Sequence, residues 1–597
     1  MPSPSEPTAR GLQKPYAALP LTWAAIVLLL TLTPSADMPR TPAWELLSFD
    51  TAAHAGVFVV LAILSWVSLR RQGRWPQLAR QAGATVLLLC LLFGGLIEIL
   101  QYIMHVGRHA EWTDLLGDTL GAMLGLGLLG LLPRNARRWV SPNVASLLLL
   151  PGVVVASLLA PHASAAQDMD RVRGTIRKLA SSGLHGRGYV KQGEHKAAAY
   201  LRGRFRQLGL QPLAPDYTQP FELAMNTFPG SISASSRNDG SHLSLAWTVG
   251  RDIIAAPNSG NGRVDGRIQA LDTTVFTSPS RQQWYQRQPL SNQVLWMRQA
   301  DAAQLNRLPL ALQQHLDSAA AWITVVPKLT ASLAATQAAQ PRIELLEKAV
   351  PNRVINSVRY GQVAQTPYNS VNLMASIQID AKLQRHYPTQ NLAAVIRGST
   401  QPDSFLVVTA HYDHLGMMGR KSYFPGANDN ASGVAMLLEL AAYYTRPENH
   451  PACSIVFLLF GAEEAGLVGS SYFVQHPLVP LPFIKFLLNL DLLGTGEEGI
   501  TVVNGKLLPA AFARLQRLNA AGHYLPSIGA RGRAANSDHF PFSEAGVPAF
   551  FIYTRGGSKA YHDVQDRPEA LSLAGFEGVF SLLRDFIKES GAGPRRP

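Results

Sequence analysis

At 597 residues the chain is too long for one hydrophobic core, so at least two domains are expected. The balance of 53 Lys and Arg against 40 Asp and Glu gives a net charge of +13. The basic residues are scattered and no nucleic-acid motif accompanies them, which argues against a nucleic-acid partner. Only two cysteines, Cys90 and Cys453, are present, both inside apolar runs, which excludes a disulfide framework and a thiolate metal site.

The first 165 residues read as a membrane region. After a tail over 1–16, apolar spans lie at Ala17–Thr33, Ala53–Leu69, Gly83–Met104, Leu115–Leu132 and Ala145–Ala160. Arg10 and Lys14 precede the first span. Arg70, Arg71, Arg74 and Arg80 lie between the second and third, and Arg134, Arg137 and Arg138 between the fourth and fifth. The positive-inside rule then predicts a cytoplasmic N-terminus, five crossings and a C-terminal domain outside. The fifth span has a second reading: with Ala163-Ser164-Ala165 behind it, the stretch over 134–166 imitates a cleavable signal, although an uncleaved anchor is favoured.

Polar residues interrupt these spans. Asp50 and His54 head the second, Glu98 and Gln101 close the third, Arg108 and Asp114 follow, and Asp118 lies inside the fourth. Ionisable groups in hydrocarbon are costly, so they form a candidate functional cluster, with Arg108 a partner for the acids; a purely structural role in the bundle is the competing reading. The pattern SFDTAAHAGVF, IEILQYI and GRHAEWTDLLGDTLGAMLG resembles the VanZ family of small bacterial membrane proteins, over about 20–133.

A soluble domain begins at Gln167. Arg171–Ser181 and His195–Leu208 are helix candidates flanking the loop Gly183–Gly188, which lacks the GK[ST] of a phosphate loop. Residues 225–375 break the α/β rhythm: they are rich in Ser, Asn, Gln and Gly, with strand candidates at Arg263–Ala270, Val294–Met297 and Ala321–Val326. Their texture resembles a protease-associated insert, which would wall a cleft; a spacer is the alternative. Asn391–Ile396 resumes a sheet that fills 376–590, leaving a tail over 591–597.

Three apolar strands then end in carboxylate or imidazole. Phe405–Ala410 runs into His411 and Asp413, Ser454–Phe460 into Glu463 and Glu464, and Phe483–Leu490 into Asp491, while a loop carries Asp429 to a helix start. Acids at the mouth of a buried sheet are costly unless positive charge collects them, and two divalent metals would do so. Neighbouring Glu463 and Glu464 point to opposite sides of an extended chain, so one can bind metal while the other faces water. Val547–Tyr553 is a further strand, leading to Tyr561, His562, Asp563 and Asp566.

AHYDHLG, GANDNASG, FGAEEAGLVGS, NLDLLG and YHDVQD resemble the motif blocks of the co-catalytic zinc exopeptidases, metallopeptidase family twenty-eight, which includes leucyl aminopeptidases and glutamate carboxypeptidase. The resemblance covers about 170–590. It implies that Asp429 bridges two Zn2+ ions, that His411 and Asp491 complete one site and Glu464 and His562 the other. Glu463 is then the general base on a water between the metals, and Asp413 orients His411. His539 is a competing ligand; with Asp538 and Tyr561 it is a candidate for the substrate pocket.

The expected architecture is an N-terminal α-helical transmembrane bundle (17–133, with the anchor over 134–166) and a C-terminal α/β zinc peptidase fold. That fold has a mixed sheet with helices on both faces, begins at 167–224 and carries a β-rich insert. The expected function is a membrane-anchored di-zinc exopeptidase, most naturally an aminopeptidase, with peptide substrates and a lipid bilayer as partners. Other divalent metals could replace zinc in so mixed a ligand set. The alternatives are a single-zinc glutaminyl-cyclase-like acyltransferase and a non-catalytic envelope-binding protein.

Overall fold

The structure, a computed structural model, describes residues 17–31, 49–71, 75–104, 112–131, 167–238, 242, 244–350 and 370–592. They divide into two compact units, Met1–Ala166 and Gln167–Pro597.

The first unit contains helices Ala18–Thr31, Phe49–Arg71, Ala82–Met104 and Trp112–Leu131. A Cβ on Gly121 would collide with the main chain of Ala55, and one on Gly125 would lie 2.7 Å from the Val59 carbonyl oxygen. Glycines one turn apart therefore let Trp112–Leu131 lie directly on Phe49–Arg71, the close approach that small residues permit between apolar helices. Among the described residues one stretch, Ala82–Leu100, is long and apolar enough to cross a membrane; Ala18–Leu28 and Gly117–Leu129 are shorter apolar helices. Of the spans expected in the transmembrane bundle, one meets the length requirement within the described residues. The fifth span lies outside the described residues.

The second unit is built on a nine-stranded mixed sheet. Its order is Gln211–Pro212, Lys382–Ile396, Cys453–Phe460, Gln401–His411, Ile484–Leu490, Ala549–Thr554, Ile500–Val503 and Ile528–Ala530, with Thr218–Thr227 also paired to Lys382–Ile396. The strands Cys453–Phe460, Gln401–His411, Ile484–Leu490 and Ala549–Thr554 are mutually parallel, so their carboxyl ends share one edge. Their sequences are continuously apolar because both faces are covered. Leu406, Val408, Ile455, Phe457 and Leu488 face a core with helices Met169–Leu179, Gly193–Gln207, Gly433–Tyr444 and Phe576–Ala592. The alternate residues Val407, Val456, Leu458 and Leu487 face Phe473 and Phe542, from the short helices Val468–Gln475 and His539–Glu544.

The insert forms a separate eight-stranded sheet with strands between Ile232 and Ile379. It is less purely β than its composition suggests. Gly262–Ala270, Gln293–Arg298, Ala321–Val326 and Arg342–Leu346 run parallel, and helices Pro279–Arg287 and Leu310–Leu316 cover one face through Tyr285, Leu312 and Leu316. These helices are short and expose most of their polar residues, so no 3.6-residue apolar stripe marks them.

Candidate metal centre

The parallel strands deliver their last residues to one edge of the sheet. His411 ends its strand, Asp491 follows Leu490, and Glu463 and Glu464 follow Phe460 after a turn in which Ala462 takes φ +58°. The two glutamates diverge because of that turn, not because of a strand pleat. Asp429 sits where the loop after Gly426 enters helix Gly433–Tyr444, with a cis peptide to Asn430.

The two oxygens of Asp429 face two different groups. His411 Nε2 lies 3.4 Å from Asp429 Oδ1 and 3.4 Å from Asp491 Oδ1. His562 Nε2 lies 3.2 Å from Asp429 Oδ2 and 3.1 Å from Glu464 Oε2. Two donors held at about 2.0–2.1 Å by one tetrahedral zinc are about 3.3 Å apart, so these separations suit a shared ion in each group. Asp491 Oδ1 is buried with no hydrogen-bond partner, as an atom reserved for a cation would be. The charge field agrees. Burial opposes a charged imidazole, yet Glu463 and Asp491 raise His411 well above its ordinary range, and Glu464 and Asp429 push His562 up to about 11. The residues present fit two divalent cations bridged by Asp429.

Each histidine is oriented by a main-chain carbonyl. His411 Nδ1 lies 3.2 Å from the carbonyl of Asp413, and His562 Nδ1 lies 2.8 Å from the carbonyl of Ala331. A carbonyl only accepts, so Nδ1 carries the proton and Nε2 is left free as ligand. The Asp413 carboxylate, expected to orient His411, stands off at 3.7 Å from Nδ1. It accepts instead from the Glu463 N–H (3.1 Å) and the Tyr189 hydroxyl (3.1 Å), and so fixes the turn that carries both glutamates.

Glu463 also lies close to the centre, with donor atoms of His411, Glu463 and Glu464 within 4.8 Å of one another. Burial, and then the charges of Asp538, Glu464 and Asp491, raise its carboxyl well above the usual range, against the pull of His411. Glu464 moves the other way, to about 2: burial and Asp429 raise it, but His562 and His414 outweigh them.

Further side chains support the ligands. His414 Nδ1 lies 2.6 Å from Glu464 Oε1, too close for two ligands of one tetrahedral ion, so this is a hydrogen bond that leaves Oε2 to face His562. Ser537 donates to Asp491 Oδ2 (2.9 Å) and accepts from Asn489 (2.7 Å), which in turn accepts from Thr409 (2.7 Å). Asp566 accepts from the N–H groups of Asn428 and Asp429 at 2.9–3.1 Å, pinning the bridging loop. Arg187 is fully buried and spends all five N–H donors on carbonyls: Tyr412 (2.8 Å), Leu179 (3.0 Å), Pro425 (2.7 Å), Gly426 (2.8 Å) and Asp429 (3.0 Å). The HGRG loop is the one sequence feature that could have announced it: Gly186 and Gly188 pack on Gly416 with no room for a Cβ.

The pocket assignment needs correction. Asp538 and His539 are fully buried, so neither lines an open cleft. Asp538 stands behind Glu463 and is itself raised to about 7, by burial first, then by Asp413 and Asp491. His539 packs against Phe551 (5.5 Å) away from the ligands, and burial lowers it to about 4. Tyr561 does lie at the rim: it is half exposed and stacks on the His562 ring at 3.8 Å.

The buried imidazole makes stability depend on pH. His539 stays neutral in the fold down to about 4, whereas the unfolded chain takes up that proton below 6.5. The unfolded state binds the extra proton between these values, so stability falls as pH drops through the window, by about 3 kcal/mol in total. Because the raised carboxyl of Asp538 contributes with the opposite sign over the same window, the slope is read as the difference between wild type and His539→Phe in denaturant unfolding at stepped pH; no difference would mean that the ring is charged in the fold.

Of the membrane-domain cluster, Asp118 is buried, its Oδ2 2.7 Å from where a Cβ on Gly94 would lie, and Glu98 is half-buried on the same helix as Gly94. Asp50, His54, Gln101 and Asp114 fall on helices, but their side chains lie outside the described residues, as does Arg108.

With this geometry in view, the comparisons with known proteins take their place. Residues 391–587 match Peptidase family M28. Over those residues the chain resembles the M28 peptidases. Residues 12–133 match VanZ/LLP1. The chain is 31% identical over 207 residues to Aminopeptidase YwaD of Bacillus subtilis (strain 168), covering 33% of this chain and 43% of that protein. It is 38% identical over 113 residues to a probable zinc metalloprotease of Pyricularia oryzae, covering 18% of this chain and 22% of that protein. The chain therefore spans less than half the length of these relatives. The crystal structure of a Peptidase M28 precursor from Shewanella amazonensis SB2B shares the fold at TM-score 0.51 and 16% identity, over 74% of this chain and 98% of that one.

Proposed function

We propose that the M28 segment makes this chain a di-zinc exopeptidase, acting as an aminopeptidase and anchored to a membrane by its VanZ-like region. The observation that carries the reading is the division of Asp429 between His411–Asp491 and His562–Glu464. The Bacillus relative is an aminopeptidase, which supports the choice of chain end. Ala82–Leu100 and the VanZ/LLP1 match support the anchor, and the basic loops of the sequence support a peptidase domain on the outer side, here read as that of a bacterial inner membrane.

When bound, the two cations would supply an acidified water and polarise the scissile carbonyl. The chain's own residues do the rest. Glu463, whose carboxylate lies beside His411 and Glu464, is within reach to accept a proton from the attacking water and return it to the departing amine. Asp413 holds the Glu463 main chain in place, so the carboxyl keeps its reach. Substrate enters at the rim formed by Tyr561 and His562, since His562 is 12% exposed against 2% for His411.

The test uses the full chain in detergent. It should release the first residue from peptides and aminoacyl-nitroanilides with a free amine, lose this on chelation and regain it with zinc. Chelator-resistant cleavage, or equal cleavage of peptides blocked at the amine, would defeat the reading.

A further inference from the structure

The two histidine ligands obtain their orienting carbonyls very differently. His411 finds its acceptor two residues away, in Asp413. His562 finds its acceptor 231 residues away, in the inserted domain. The loop after strand Ala321–Val326 runs along the centre. Ala331 accepts from His562 Nδ1 (2.8 Å) and its own N–H donates to the His562 carbonyl (3.2 Å), a two-bond clamp on one residue. Lys328 Nζ adds bonds to the carbonyls of Lys559 (3.0 Å) and Tyr561 (3.3 Å). Leu333, two residues beyond the clamp, packs in the cluster that includes Ala465, next to Glu464. The same loop thus holds His562 directly and packs on the cluster against which Ala465, the residue after Glu464, also packs.

The clamp meets a residue that needs holding. His562 has φ +54°, a conformation that residues with a Cβ adopt reluctantly, so its position depends on what surrounds it. Among the described residues no such tie reaches the other pair: His411 and Asp491 rest on the catalytic sheet, through Asp413 and Ser537.

We propose that segment 327–333 of the insert is a built-in part of the His562–Glu464 site and sets the affinity of that site for its divalent cation, while the His411–Asp491 site loads without help from the insert. This rests on the two-metal reading above. The insert would then be a positioning element that decides whether the second ion is held.

Equilibrium dialysis of the full chain against graded free Zn2+, with zinc per chain measured, tests it. Wild type should take up two ions. Ala331→Pro removes the N–H of the clamp and presses a ring on the His562 carbonyl. It should bind the first ion normally and the second about 10–100-fold more weakly, the range for loss of an orienting partner. Lys328→Ala should weaken the second ion alone by a smaller factor, with Lys328→Arg restoring it. Unchanged affinity at both sites in Ala331→Pro overturns the proposal. Should that variant lose both ions through misfolding, Lys328→Ala decides, since its side chain is exposed: selective weakening supports the proposal and unchanged binding overturns it. A wild type that holds fewer than two ions defeats the two-metal reading itself, which keeps the two failures apart.

Discussion

Glu463→Gln is expected to lower kcat by about 10²–10⁴-fold, the usual contribution of a positioned acid–base group, while zinc per chain stays unchanged. The amide keeps the shape of the side chain, and the Glu463 N–H to Asp413 remains, so the turn carrying Glu464 should not move. What is lost is a group able to take a proton. The variant should be no less stable than wild type, because it removes one of several buried acids that repel one another: Glu463, Asp538, Glu464 and Asp491. Zinc content separates the two roles open to Glu463, since His411, Glu463 and Glu464 also lie within ligand distance of one another. A fall in zinc content alongside activity would make Glu463 a ligand and leave the reaction without its base.

Arg187→Met is expected to cost at least about 3 kcal/mol of stability, as removing one side of a buried charge network does. Five main-chain carbonyls would lose a charged donor at once, two of them, Gly426 and Asp429, in the loop that presents the bridging ligand. Burial lowers Arg187 to about 10, but Asp429, Asp566, Asp413 and Glu464 hold the charge in place. Its loss therefore also removes the fixed positive charge behind the metal centre, and zinc affinity should fall with stability. Arg187→Lys should not rescue it, because three donors on a flexible stem cannot replace a planar fork of five. The control is Arg206→Met, whose half-exposed salt bridge to Asp216 should change stability by less than about 1 kcal/mol. Denaturant unfolding of the three variants beside wild type, with zinc content, checks both halves.

The parallel core strands were legible because each is a short apolar run, covered on both faces, that stops in a polar residue. The structure extends Asn391–Ile396 back to Lys382, through polar residues that face water where the strand leaves the core. The five ligand candidates were legible through motif blocks, since metal chemistry restricts which side chains can stand there. The supports were not. Ala331 acts through its carbonyl, which any residue could offer, and Arg187 acts on five carbonyls that have no side-chain signature. His414 stands inside a quoted motif and Ser537 beside Asp538, but only distances of 2.6 and 2.9 Å separate a hydrogen bond from an unrelated neighbour. His539 and Asp538 misled for the complementary reason: burial, which decides whether a polar group meets substrate, is a property of packing.

Residue type and strand patterning determined by themselves that a sheet edge would gather acids and imidazoles, because apolar runs must be buried and their polar ends must emerge together. Only the tertiary structure decided that the two oxygens of Asp429 are shared between two pairs, and that the insert holds His562 from 231 residues away. Contacts of that kind depend on where the chain returns in space, and hydrogen bonds to main-chain carbonyls leave no trace in side-chain chemistry.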